Sequence, residues 1–111
     1  MIAIVLAAAL SPGVQQTQLP SYDEAVRCAG LAQAASELEG GESGEGLSLY
    51  DAALYWSLTA MRMARAASRP PEAAEADQTR ARIRAVRELS ADDASARADL
   101  ERCQARTPEL G

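Results

Sequence analysis

Residues 21–41 read SYDEAVRCAGLAQAASELEGG, and this stretch decides the fold. Ser21 and Glu24 form an S-x-x-E capping box: the hydroxyl accepts from the backbone N–H near Glu24, and the carboxylate reaches back to the backbone of Ser21. Pro20, just before it, fits a boundary. Ala25, Cys28, Ala29, Ala32 and Ala35 then recur at three- and four-residue spacing, with Leu31 and Leu38 widening the same face. Gly40-Gly41 ends the run, because glycine takes the left-handed conformation after a helix without steric cost. A helix over Tyr22–Glu39 follows, with Cys28 on its inward side.

The same punctuation repeats down the chain. After the acidic loop GGESGEG, residues 40–46, comes Ser48-Leu49-Tyr50-Asp51, a second cap signature that opens a helix over about 49–68. Its polar sector is narrow (Arg62, Arg65 and Arg69), while Leu49, Tyr50, Leu54, Tyr55, Trp56, Leu58, Met61 and Met63 spread around the remainder. A helix apolar over most of its circumference belongs at the centre of a domain. Pro70-Pro71 ends it and opens the next, since proline is acceptable in a first turn, and Glu72 and Glu75 suit the dipole there. That third helix is expected over about 71–89, with Ala76, Thr79, Ile83, Val86 and Leu89 inward. Ser90-Ala91-Asp92-Asp93 is a third cap, which places a break near Ser90 and a fourth helix over about 91–106 with Ala96, Leu100 and Cys103 inward. One kinked helix over 71–106 is the alternative. Strand signals are nearly absent. The fold class is all-α: a three- or four-helix bundle in a single domain, residues 21–111.

Two cysteines, Cys28 and Cys103, sit on the inward sides of the first and last helices. The ends of an antiparallel bundle are often neighbours, so the pair is expected as a disulfide stapling the domain. They are far apart in sequence, with no C-x-x-C to lower a thiolate pKa, so a redox-catalytic role is not expected.

Residues 2–10, IAIVLAAAL, are nine apolar residues without a charge. A secretory apolar region is about 7–15 residues followed by small ones, and Ala7-Ala8-Ala9 fits the cleavage rule. A membrane span needs roughly 20. Residues 1–20 are therefore read as a signal peptide and polar spacer, cleaved between Ala9 and Val14. No Lys or Arg precedes the run, and no cysteine follows it to carry a lipid. The expected destination is the periplasm or the extracellular space, where paired cysteines stay oxidised. No integral span is expected after removal of the signal.

Composition narrows the chemistry. There is no His and no Lys, and all 11 basic residues are Arg. Without His, Ser-His-Asp and Cys-His arrangements cannot be built, and the commonest metal ligand is missing. Net charge is −5, with seven acids and one base before Met61 and ten bases against nine acids from Arg62 onward. That balance disfavours a nucleic-acid partner, which needs an excess of cations against phosphate. Glu37, Glu39, Glu42 and Glu45 lack the ligand spacing of a calcium loop, and no phosphate loop, zinc pattern or dinucleotide fingerprint is present. No catalytic residue, metal ligand or cofactor site is assigned.

The remaining candidates are for contact with a partner. Tyr50, Tyr55 and Trp56 are read as filling a core otherwise rich in Ala, or else as lining a groove. Arg80, Arg84 and Arg87 share one helix face, and such a basic stripe can bind an acidic partner or anionic headgroups, but Asp77–Arg80 and Arg84–Glu88, like Asp93–Arg97 and Asp99–Arg102, have the spacing of a solvated, ion-paired surface. The functional expectation is a non-catalytic exported protein that binds another protein or itself, or serves as a structural component. One alternative is a periplasmic stress or chaperone-like protein that exposes an apolar helix when the bundle loosens. Another, a carboxylate- or tyrosine-based enzyme, needs a cleft with Glu or Asp beside Tyr50 or Tyr55.

Overall fold

The computed structural model describes residues 19–40 and 44–108. The expected signal peptide with its cleavage site, and Glu42 of the acidic loop, lie outside the described residues. Four helices follow one another: α1, Tyr22–Glu39; α2, Glu45–Ala66; α3, Pro71–Ser90; and α4, Ala94–Ala105. There is no strand among the described residues. The chain is an all-α four-helix bundle, with Cys28 of α1 bonded to Cys103 of α4 across a Cα separation of 5.5 Å.

The capping box that starts α1 is formed in both directions: Ser21 Oγ accepts from the Glu24 N–H and the Ser21 N–H donates to Glu24 Oε1, each at 3.0 Å. Gly40 ends the helix with φ 102°, and its N–H returns to the Ser36 carbonyl. The sequence placed α2 at the centre because α2 is apolar all round. The structure places α1 there. The other three helices all pack on α1, and its Ala25, Val26, Cys28, Ala29, Leu31, Ala32, Ala34 and Ala35 are buried. The physical reason is width. A central helix must be approached from three sides, and a cylinder of Ala and Gly is thin enough to allow it, whereas Leu and Tyr hold neighbours away. Gly30 is the limiting case: a Cβ there would meet the Ala81 backbone carbon at 2.6 Å, so α3 crosses α1 almost backbone to backbone. Leu38, expected inward, is exposed at the last turn of α1.

The sequence also opened α2 one turn late. The helix begins at Glu45, and Ser48 is part of its first turn, its N–H donating to the Gly44 carbonyl. Gly46 is buried there, and its carbonyl accepts from the Ser36 hydroxyl at 3.5 Å. On α3 the expected inward set is rotated. Ala74 and Ala85 are buried and Ala81, Val86 and Leu89 partly so, whereas Ala76 and Thr79 are exposed and Ile83 is 44% exposed. The close crossing at Gly30 selects the alanine face of α3 over the face carrying its bulkiest apolar residue. The break before α4 is real, but its cap is Asp93, whose carboxylate accepts from the Ala96 N–H at 2.8 Å, and Ser90 remains the last residue of α3. Arg97 consequently pairs with Asp92 rather than with Asp93. Ala96 and Cys103 are buried and Leu100 partly buried, as expected for α4.

Candidate interaction surface

What holds the bundle is concentrated in a few side chains. Trp56 and Leu31 are the largest fully buried residues, and Trp56 is only 1% exposed. Its indole N–H donates to Thr107 Oγ1 at 2.8 Å, and that hydroxyl donates to the Cys103 carbonyl at 2.7 Å. The Arg106 guanidinium lies 5.9 Å from the Trp56 ring centre. The turn after α4 thus seals the inner face of α2, and the disulfide holds that turn in place. Thr107 was not singled out from the sequence, because a lone threonine beyond a helix carries no signal of a buried donor fifty residues upstream.

Arg27 of α1 is the electrostatic joint. It is half-buried, donating to Glu88 of α3 at 2.7 Å and to Asp99 of α4 at 3.1 Å. Burial works against its charge, but the two carboxylates more than compensate, so its pKa is raised. The bond from Arg27, reinforced by Arg84, holds Glu88 below the usual carboxylate range. At the first residue of α1, the Tyr22 hydroxyl donates to Asp77 at 2.7 Å; Asp77 also accepts from Arg69, and it too is held below its usual value, first by the Tyr22 bond. Partial burial and the bond to Asp77 raise Tyr22. The backbone N–H of Ser21 lowers Glu24, which also receives Arg106.

Most arginines of α3 are paired where they stand. Arg80 pairs with Asp77, Arg84 with Glu88 at 2.9 Å, and Arg82 with Glu37 at 3.1 Å. Of Arg80, Arg84 and Arg87, only Arg87 has no carboxylate partner among the described residues. Such exposed pairs describe a solvated surface worth little each. A groove of about 340 Å³ runs beside the disulfide, bounded by Asp23, Glu24, Arg27, Asp99, Arg102 and Arg106. Each of its three arginines is bound to a carboxylate within the chain: Arg27 to Glu88 and Asp99, Arg102 to Asp99, and Arg106 to Glu24. Neither Tyr50 nor Tyr55 lines this groove or the two smaller ones. No carboxylate is buried among the described residues, and no three His, Cys, Asp or Glu side chains converge there as a metal site.

The surface left unexplained is the outer face of α2. Its inner face is spent on Leu49, Ala52, Ala53, Trp56, Ala60 and Ala64. On the opposite side Leu47, Tyr50, Leu54 and Leu58 form one exposed apolar line, continued by half-buried Met61. Leu58 is 59% exposed. Tyr50, read from the sequence as core filling, is therefore a surface residue; Tyr55 is half-buried with its ring edge-on to Trp56, and Trp56 alone is core. The spacing of the line, three-four-four-three, averages the 3.5 residues of a heptad pattern, so the stripe drifts by only about 20° per seven residues and stays on one side of the helix. Two apolar faces on one helix explain why α2 looked like a central helix in sequence: one face carries small residues and Trp against α1, the other carries leucines that no described element covers.

No protein-family model, characterised protein or solved structure matches this chain. Among the described residues no helix is long and apolar enough to cross a membrane.

Proposed function

We propose that this chain is an exported, non-catalytic helical domain that works by binding another protein chain through the outer face of α2. The observation that carries the reading is the unbroken line Leu47, Tyr50, Leu54, Leu58, an apolar strip on the surface of a folded bundle that no described element covers. Isolated surface leucines are ordinary, but a contiguous apolar stripe on a folded monomer is a mark of an interaction site. Export is supported by the apolar run at residues 2–10 and by a disulfide joining the first and last helices, a bond that persists in oxidising compartments. A chaperone-like protein would present its apolar helix only when loosened; here Leu54 and Leu58 are already outside in the closed bundle, which favours a constitutive binding face.

The experiment is site-specific photocrosslinking in the host. A benzophenone side chain at position 58 is expected to yield a discrete adduct with another chain, while the same probe at Glu75, an exposed polar position of α3, yields none. Equal labelling from both positions, or none from position 58, contradicts the reading.

A further inference from the structure

We propose that the partner of the α2 face is a second copy of this chain, the two α2 helices lying antiparallel about a two-fold axis level with residues 56 and 57. This rests on the reading of that face as the binding surface and adds the occupant. The order of charges along the helix selects it. Asp51 stands one turn before the Leu54–Leu58 pair and Arg62 one turn after it. They are eleven residues apart, and at about 100° per residue they fall within about 20° of each other, on the same flank of the stripe. Both are exposed, and neither makes an ion pair among the described residues; the only side-chain bond of Arg62 there is a long one, 3.4 Å, to Thr59 Oγ1 on its own helix. Among the described residues Arg27, Arg69, Arg80, Arg82, Arg84, Arg97, Arg102 and Arg106 all have carboxylates, and Arg62 is one of three arginines, with Arg65 and Arg87, that do not. Arg62 and the unpaired Asp51, on either side of an uncovered leucine pair, are complementary to each other but too far apart along one helix to meet.

A two-fold rotation solves this. It reverses the helix direction and keeps the flank, so Asp51 of each copy faces Arg62 of the other and every contact is made twice. In the same register Leu54 and Leu58 straddle the axis and pack against their counterparts, with Tyr50 and Met61 at the two ends. A parallel two-fold would instead swap the flanks, leaving the charged flanks of the two copies on opposite sides of the seam, where Asp51 and Arg62 meet no partner. The stripe from Leu47 to Met61 is about 21 Å long, and one helix face is narrower than the roughly 800 Å² per partner of a standard interface. The dimer is accordingly a weak one, with a dissociation constant on the order of 10–100 µM.

Sedimentation equilibrium of the oxidised protein as it occurs in its host, from about 5 µM to 1 mM, reads the monomer–dimer balance around that constant. Leu58→Glu is expected to abolish the dimer while leaving the helical circular dichroism and the melt unchanged. Asp51→Arg and Arg62→Asp are each expected to weaken it by about tenfold or more, since symmetry doubles every change. Mixed together, those two single variants are expected to associate as tightly as the parent, and the double variant D51R/R62D is expected to recover as well. A parent that stays monomeric, or a dimer indifferent to Leu58→Glu, overturns the proposal. A dimer lost with Leu58→Glu but not recovered on mixing overturns the antiparallel register. The benzophenone at position 58 separates the two levels of the argument. A monomeric protein whose probe joins a different chain overturns the second copy and leaves the binding face standing. A monomeric protein whose probe joins residues 1–18 of its own chain, or nothing, overturns both.

Discussion

Replacing Gly30 by alanine sets two forces of opposite sign against each other. In an ordinary helix interior Gly→Ala stabilises by roughly 0.5–1 kcal/mol, because glycine loses more backbone freedom on folding. At Gly30 the new methyl would stand 2.6 Å from the carbonyl carbon of Ala81, 2.7 Å from its oxygen and 2.7 Å from its Cβ. Ordinary contact begins near 3.4 Å, so α3 must retreat by most of an ångström from α1, or tilt. Overpacking of this kind costs about 1–3 kcal/mol. It also strains the Arg27–Glu88 bond that ties the same two helices. The net expectation is a loss of about 1 kcal/mol, which for a domain of this size lowers Tm by about 4–8 °C. Thermal melts of the oxidised protein followed by circular dichroism measure it. The companion variant G30A/A81G separates side chain from backbone: two of the three close atoms belong to the Ala81 backbone, so removing the Ala81 methyl is expected to recover little. A Gly30→Ala protein that melts higher than its parent would refute the backbone-to-backbone crossing and, with it, the placement of α1 at the centre.

Three further outcomes follow from the same packing. Closing 75 residues of chain by the Cys28–Cys103 bond stabilises by about 4.5 kcal/mol in the chain-entropy picture, so Cys103→Ser or reduction should bring a large drop in Tm, and a melt like that of the oxidised parent would show the staple to be inert. Trp56→Ala removes the largest buried side chain and the hydrogen bond it donates to Thr107, at a cost of about 3–5 kcal/mol, whereas Leu58→Ala on the outer face of the same helix should change stability by no more than about 0.5 kcal/mol; equal effects in chemical denaturation would mean that the two faces of α2 have been exchanged. Glu24, Asp77 and Glu88 are each held below their ordinary pKa by hydrogen bonds and arginines, so the unfolded chain binds protons before the folded one does. Their contribution is present above about pH 4.5 and is lost as pH falls through their folded values. Tm should therefore decline on titration from pH 6 to pH 3, less steeply in Glu88→Gln, and a flat profile would contradict the assigned pairs.

Helix existence and order were readable from local chemistry. Ser21 with Glu24, Gly40, Pro70-Pro71 and the Asp92-Asp93 break act within one turn of chain, and each marks a boundary to within a few residues. So was the disulfide, since Cys28 and Cys103 are the only cysteines and both fall on inward faces. Which helix lies at the centre was not readable from hydropathy. Periodicity weighs Leu and Tyr heavily and Ala and Gly lightly, whereas the central position is decided by how closely backbones can approach, and Gly30 against Ala81 is a property of two helices together. The same bias rotated α3 toward Ile83 and away from Ala74 and Ala85. It also hides the candidate interaction face: by hydropathy Tyr50, Leu54 and Leu58 are indistinguishable from the core residues of α2, and it is the packing of α1 on the opposite face that leaves them uncovered.

The most direct measurement is a concentration series of amide and methyl NMR spectra on the oxidised protein. If the outer face of α2 is where this chain meets its own copy, shifts will move with concentration at Leu47, Tyr50, Asp51, Leu54, Leu58 and Arg62, while Leu31, Trp56 and the α3 arginines Arg80, Arg84 and Arg87 stay fixed, and the same series on Leu58→Glu will be flat. Shifts that are independent of concentration throughout, or that move on α3 instead of α2, would contradict it.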